Sequence, residues 1–503
     1  MALRRFSRCY SENVKSSTQS VLVPAPPARW RGTVDGVARP SLPSAGHHPE
    51  SDLLLKLAFG FFVVDLFVNV SRFLEILSLA GNVRIPYLGV TFHVVTLVLA
   101  LVSGGARRVV ASRLGVYLVL FTGWMMLCTL VSTWRGGSAD TLVRDWVPSL
   151  IIFASCGTVV TLLQCRKVAT VLAAAAALIA AASFSLGTVK ADRFSFGAGT
   201  LAGSNELAML LVLGAPFFLV PMLSKSSSRF SKAVAIVLGL AVLIPVVRSA
   251  SRGGLLAVIL MLAVLFWTIP FAGKMKLGLL SIVLVVLFFA LTPREVLSRY
   301  GTLFSSASSG DEVAASAEES SQARQYLLEQ SLRLTMQHPI FGLGPGVFVV
   351  GESELAASEG QKAAWHVSHN SYTQVSSEMG IPGLLLYLAA LGCTFRNVFW
   401  FRSRSSVDPT GRASAMGLAL LLSLIGLCVG LTFSSSAYLF YLPMLMGLSV
   451  AFRNSLQLEL DRQAYSPLGT APEPPMARPV QPVATSSGKP VYRFLGRPRR
   501  SGA

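Results

Sequence analysis

Residues 253–271 read GGLLAVILMLAVLFWTIPF, a run without one charged residue, entered through Ser251-Arg252 and followed by Lys274 and Lys276. At about 1.5 Å of helical rise per residue, it is long enough to cross the roughly 30 Å hydrocarbon layer of a bilayer. Apolar on every side, it is also unlike the amphipathic helix of a soluble surface. Similar runs lie near residues 53–72, 87–103, 114–133, 146–164, 168–187, 205–223, 233–247, 276–292, 381–401, 413–433 and 437–452. The whole chain agrees with them. Of its 503 residues 52% are hydrophobic and only 13% charged, against about 25% charged in soluble domains, and its mean hydropathy is +0.59. The expected fold is an all-α polytopic membrane protein of about twelve transmembrane helices.

The net charge of +19 raises the question of an anionic partner, which its distribution answers. The basic residues cluster in the two tails and in short loops between apolar runs, with no basic groove interleaved with aromatics, so nucleic acid is not an expected partner. Alternate loops are consistently basic: Arg107, Arg108 and Arg113; Arg166 and Lys167; Lys225, Arg229 and Lys232; Lys274 and Lys276; Arg396, Arg402, Arg404 and Arg412. By the positive-inside rule these face the cytoplasm, and both termini lie with them. The expected organisation is a basic disordered tail over 1–51, nine spans over 52–292, a long outward loop over 293–380, three spans over 381–453 and a second basic tail over 454–503. The first span carries Lys56 and Asp65; lysine can snorkel to the surface, and the carboxylate is expected to pair inside the bundle. Cys9, Cys128, Cys156, Cys165, Cys393 and Cys428 avoid the long loop and form no CxxC pair, so neither a disulfide framework nor a thiolate metal site is expected.

The outward loops retain Arg72, Arg84, Arg135, Arg144, Arg193, Arg248 and Arg252, and the long loop adds Arg324 and Arg333. Arginine at a membrane surface can hold a phosphate by paired, charge-assisted hydrogen bonds, or it can simply anchor a helix end. Within the long loop, residues 322–337 have the spacing of an amphipathic helix that stops before Pro339. Gly342, Gly344 and Gly346 then offer a tight turn. His366-Val367-Ser368-His369-Asn370-Ser371-Tyr372 follows, just ahead of the next span. Its HxxH spacing permits a metal, but no third ligand accompanies it, so none is expected. A histidine here suits general-base work and equally suits a structural place.

Two longer segments decide between these readings. His338-Pro339-Ile340-Phe341-Gly342-Leu343-Gly344-Pro345-Gly346-Val347-Phe348 resembles the HP…GxGxGxF segment of the O-antigen ligase/O-antigen polymerase superfamily of bacterial membrane glycosyltransferases. His369-Asn370-Ser371-Tyr372-Thr373-Gln374, with Glu378-Met379-Gly380-Ile381-Pro382-Gly383-Leu384, resembles its HNxY…ExGIxG segment. Arg193 with Asn205, and Ser251-Arg252-Gly253, are similar to two earlier family steps. Ser204 stands where the family has proline, and Thr373 where it has leucine.

The resemblance implies a GT-C-like membrane fold with one long structured periplasmic loop, in the bacterial inner membrane. It implies transfer of a polyprenyl-diphosphate-linked glycan to a glycan, lipid-core or protein hydroxyl, without cofactor or metal and with inversion. His369, Arg252 and Arg324 take the catalytic places in this comparison, and Arg193, Asn205, Asn370 and Tyr372 the substrate-binding ones. Membrane lipids and a chain-length regulator are the further partners to expect. Polymerisation ranks ahead of ligation, and ligation ahead of protein glycosylation. A flippase or other transporter is the alternative of a different class, though it would call for paired halves, and the sequence shows no convincing internal repeat and gives the charged outer loop no job in that scheme.

Overall fold

A computed structural model describes residues 53–81, 86–190, 193–271, 312–360 and 362–465 apart from 364, with scattered positions between 273 and 297. All of these fall in one compact unit, His47–Ala503. The expected span over 276–292 and the tail over 1–51 lie essentially outside the described residues.

Helices dominate. In chain order they are α1 (Leu53–Val70), α2 (Phe73–Gly81), α3 (Pro86–Val102), α4 (Gly105–Val110), α5 (Arg113–Leu130), α6 (Arg135–Thr141), α7 (Val147–Ser155) and α8 (Leu162–Leu186). A hairpin of β1 (Gly187–Lys190) and β2 (Arg193–Phe196) interrupts them. Then come α9 (Ser204–Gly214), α10 (Leu219–Leu223), α11 (Arg229–Arg248), α12 (Arg252–Thr268), α13 (Glu312–Gln337), α14 (Phe348–Ser358), α15 (Ser371–Arg404), α16 (Arg412–Leu431) and α17 (Tyr441–Tyr465). Among the described residues seven helical segments are both long and apolar enough to cross a membrane, with 89–102 and Arg252–Thr268 shorter apolar helices. The chain is a polytopic helical membrane protein.

Burial sorts the helices. Arg412–Leu431 is 72% buried and central, whereas Arg229–Arg248 is 22% buried and peripheral. Both are apolar throughout, so the peripheral helix turns its apolar side chains toward lipid. The centre closes through small residues: Gly426 against Val212 and Met261, Gly430 against Met209, and Gly214 against Ala176. The helix α8 begins with a reciprocal capping box of Thr161 and Gln164, satisfying two otherwise orphaned amides. Asp65 is buried and pairs with His93 Nδ1 of α3 at 3.0 Å, and Asn69 Nδ2 donates to its other oxygen. The expected pairing inside the bundle is what the structure contains.

Four differences from the sequence reading have local causes. The expected helix over 146–164 is two pieces: a helical stretch from Arg135 that contains a π-turn at Leu142–Trp146 and ends at Thr158, then α8. The capping signal at Thr161 cuts it. The helix before Gly380 starts already at Ser371 and continues beyond a kink where Gly380 takes φ 69°. Residues 454–465, read as tail, prolong α17. The hairpin at 187–196 was not expected, since its two strands are four residues each and sit between long apolar runs.

The described part of the long loop is packed. Leu327 and Leu334 of α13 close on Leu343 and Phe348 in a small core of their own, and α13 ends at Gln337 before Pro339. The glycine turn between them follows the expectation, with φ of 67°, 112° and 73° at Gly342, Gly344 and Gly346.

Candidate active site

Asn370 is the N-cap of α15; its Oδ1 accepts from the amides of Tyr372 at 2.9 Å and Thr373 at 3.2 Å. The amide oxygen of this expected substrate contact is therefore committed to the helix start. One residue earlier, His369 has φ 54°, in the left-handed region that non-glycine residues rarely occupy. Its N–H donates to Ser435 Oγ at 2.8 Å, and Ser435 Oγ lies 3.1 Å from Ser368 Oγ. Ser371 Oγ donates to Ser434 O at 2.7 Å and accepts from the Ser436 amide at 2.9 Å. The connection between α16 and α17 thus fastens the backbone that presents the histidine. The other described non-glycine residues with positive φ are Arg72, Ala250 and Trp365; Ala250 adjoins Ser251-Arg252, and Trp365 lies in the His369 loop. Strain of this kind concentrates where geometry is functionally constrained.

Around the half-buried His369 ring the charge is positive. Burial above all, then the neighbouring Arg324, His366 and Arg193, hold its pKa down to about 4. His366 packs tilted against it with ring centroids 6.5 Å apart. The structure therefore brings Arg193 from β2, Arg324 from α13 and His366 to one histidine, from points as much as 176 residues apart in sequence (369 − 193).

Arg193 also links the site to α9 and α12. Its Nη2 donates to Asn205 Oδ1 at 2.9 Å, and Ser251 Oγ donates to the same oxygen at 2.8 Å. Ser251 is the N-cap of α12, accepting from the Gly254 amide at 3.1 Å. Arg252, next in the chain, starts that helix half-buried, so Asn205 ties together the steps at 193 and 251–252. A neighbouring guanidinium, that of Arg248, stacks over Phe194 of the hairpin at 4.7 Å and serves as an anchor. On the far side of the hairpin loop, Glu75 accepts from Thr200 N–H and Oγ1–H, and Arg72 reaches from Glu75 to the Tyr441 hydroxyl at 3.0 Å.

Tyr372 turns away from this cluster. Its hydroxyl donates to Cys428 O at 3.1 Å, and its ring meets Tyr387 edge-on. Arg333 is half-exposed and pairs with Glu359 at 2.9 Å, as a solvated helix face requires.

Glu378, assigned no role by the sequence, organises the glycine turn. It is buried, and its two carboxylate oxygens accept from the amides of Gly346 at 2.9 Å and Phe348 at 3.2 Å. A Cβ at Gly344 would strike Ser132 and Ser138, and one at Gly346 would strike Thr141. The turn is pressed against the end of α5 and the start of α6. Its glycines are needed for contact as well as for φ. Among the described residues no group of three His, Cys, Asp or Glu side chains is placed to hold a metal ion.

Fold and site together define a polytopic membrane protein with a cationic, histidine-centred site where its apolar helices meet the packed segment 312–360. Residues 234–388 match the family model described as O-antigen ligase. That segment contains Arg252, Arg324 and His369, and its match supports the resemblance to the O-antigen ligase/O-antigen polymerase superfamily of membrane glycosyltransferase-like enzymes. No curated protein matches the chain.

Proposed function

We propose that this protein transfers a glycan from a polyprenyl diphosphate to a hydroxyl acceptor at the outer face of the bacterial inner membrane. Its spans, about twelve and GT-C-like in arrangement, leave both termini in the cytoplasm and the loop over 293–380 in the periplasm. The gathering of Arg324, Arg193 and His366 about His369 is the observation that supports this reading.

Neutral at pH 7, His369 takes the proton of the acceptor hydroxyl as its oxygen attacks the anomeric carbon. The bond from that carbon to the diphosphate oxygen breaks, and the electron pair leaves with the lipid diphosphate. Arg324 and Arg252 stabilise the charge that grows on the leaving oxygen, each contributing about 3–4 kcal/mol in a preorganised site. Arg193, oriented by Asn205, contacts phosphate or sugar. The proton and the charge both have destinations among these side chains, and inversion follows from attack opposite the leaving group.

Polymerisation of lipid-linked repeat units is the activity proposed first, with ligation to a lipid core and protein O-glycosylation as the alternatives. Glycan analysis in a deletion strain discriminates them. Single-repeat products mark a polymerase, and long lipid-linked chains left unattached mark a ligase. Precursor stranded on the cytoplasmic side marks a flippase and overturns the proposal.

A further inference from the structure

The His369 step has a second side whose chemistry is opposite to the first. A cavity of about 240 Å³ lies against it, bounded by the π-turn, the glycine turn, the start of α15 and the loop into α17. This is well above the ~10–15 Å³ needed by one water and slightly below the ~300–1,000 Å³ of drug-sized sites. A single sugar ring is the scale of occupant it suits. Asp145, Glu378, Gln374, Tyr438, Ser368 and Ser435 supply its polar lining, and no described cationic side chain contributes. An anionic diphosphate has no partner here.

Two observations point to a ligand. The Tyr438 hydroxyl is buried beside Glu378 with no hydrogen bond of ordinary geometry, although a buried hydroxyl normally finds a partner. The cavity also adjoins the backbone step that carries the base: Ser368 and Ser435 line it, and Ser435 holds the His369 amide. A π-turn supplies Asp145 from the opposite wall, an irregularity frequent at functional sites.

We propose that this cavity is the acceptor subsite, binding the uncharged, hydroxyl-bearing sugar ring that His369 deprotonates. The proposal rests on the transferase reading above. Carboxyl, amide and phenol groups match a sugar's mixed donors and acceptors, and the Asp145 carboxylate disfavours a uronate or a phosphorylated ring. Donor and acceptor then approach His369 from sides of opposite charge, which keeps the diphosphate out of the acceptor's place.

The test uses the purified full-length protein in lipid nanodiscs, its lipid-linked donor, and the glycan acceptor that accumulates in the deletion strain. Tyr438→Phe removes only a hydroxyl beside Glu378, and Asp145→Asn is isosteric, so neither threatens the fold. Tyr438→Phe is expected to raise the acceptor KM roughly three- to tenfold, and Asp145→Asn by tenfold or more, the sizes of a neutral and a charged hydrogen bond. Binding of undecaprenyl diphosphate should be unchanged in both. Linkage analysis of the product should find an uncharged sugar on the acceptor side of the new bond. An active wild type whose acceptor KM is indifferent to both substitutions overturns the subsite alone, as does an acidic sugar or a protein side chain in the acceptor position. A wild type that transfers no glycan overturns the transferase reading and the subsite with it.

Discussion

Replacing Arg324 by Gln should move the acid limb of the kcat/KM profile upward, and the structure bounds how far. That limb reports the free enzyme's base. In the wild-type site His369 titrates at about 4 instead of an ordinary 6.5, through burial first and then Arg324, His366 and Arg193. At pH 5 roughly 90% of it is therefore still neutral. Arg324 is the largest of the charge contributions. A unit charge somewhat beyond contact distance is worth roughly 1–2 kcal/mol at an effective dielectric of about 20, which is close to one pH unit. With burial, Arg193 and His366 still acting, the variant's limb should stand near pH 5, between the bounds of 4 and 6.5. Arg324→Lys keeps the charge and should leave the limb near 4, even if lost bidentate contacts lower the rate. The assay is the initial rate of glycan transfer in nanodiscs from pH 4 to 8 at low donor concentration. A limb at about 6.5 in the wild type, or one that Arg324→Gln does not move, would refute the assignment of His369 as a base in a cationic site.

His369→Ala should lower transfer by about 10²–10⁴-fold while the protein remains folded, by size-exclusion profile and melting temperature; undiminished transfer removes the general-base role. Ser435→Ala leaves the strained His369 amide without its acceptor, a loss of about 1–3 kcal/mol, and should cut kcat tenfold or more with little change in binding of undecaprenyl diphosphate. Gly344→Ala meets Ser132 and Ser138 at a φ of 112° and should lower the melting temperature by several degrees or prevent folding. Gly60→Ala, in α1 with open space about it, should be neutral or slightly stabilising. The low His369 pKa also carries a stability term. Below about 6.5 the unfolded chain binds a proton that the folded site refuses until about 4, so stability is constant above 6.5 and declines as pH falls through that window.

Hydropathy revealed the helical class and the position of most apolar helices among the described residues, because a bilayer demands long apolar segments whatever surrounds them. It did not reveal the break at Thr161, where one capping box outweighs continuous hydropathy. The three glycines and His369 were legible as motifs, since positive φ and close approach leave few residue choices. The roles of Ser435, Glu378 and Asp145 were not. Each acts through a long-range contact, such as that of Ser435 with His369 across 66 positions, and a serine among three or a carboxylate at a helix end carries no local signature. Asn370 shows the converse. Its motif was visible, yet its amide oxygen is taken by a helix cap, a use that local sequence also permits.

The low pKa that keeps His369 neutral would by itself make it a weak base. In the proposed reaction the donor resolves this. A lipid diphosphate seated against Arg324 and Arg193 brings negative charge to the groups that disfavour imidazolium, while leaving the burial of the ring in place. Its arrival must raise the affinity of His369 for a proton, so the base strengthens only when there is a leaving group to receive the charge from the other side of the reaction. The same electrostatics would then secure both an empty site in the neutral state and an occupied site ready to accept a proton. The consequence is measurable, because kcat reports the complex and kcat/KM the free enzyme. The acid limb of kcat should lie above that of kcat/KM, toward the ordinary histidine value. Coincident limbs would mean that the diphosphate does not sit against these arginines, and the site would need a different donor geometry.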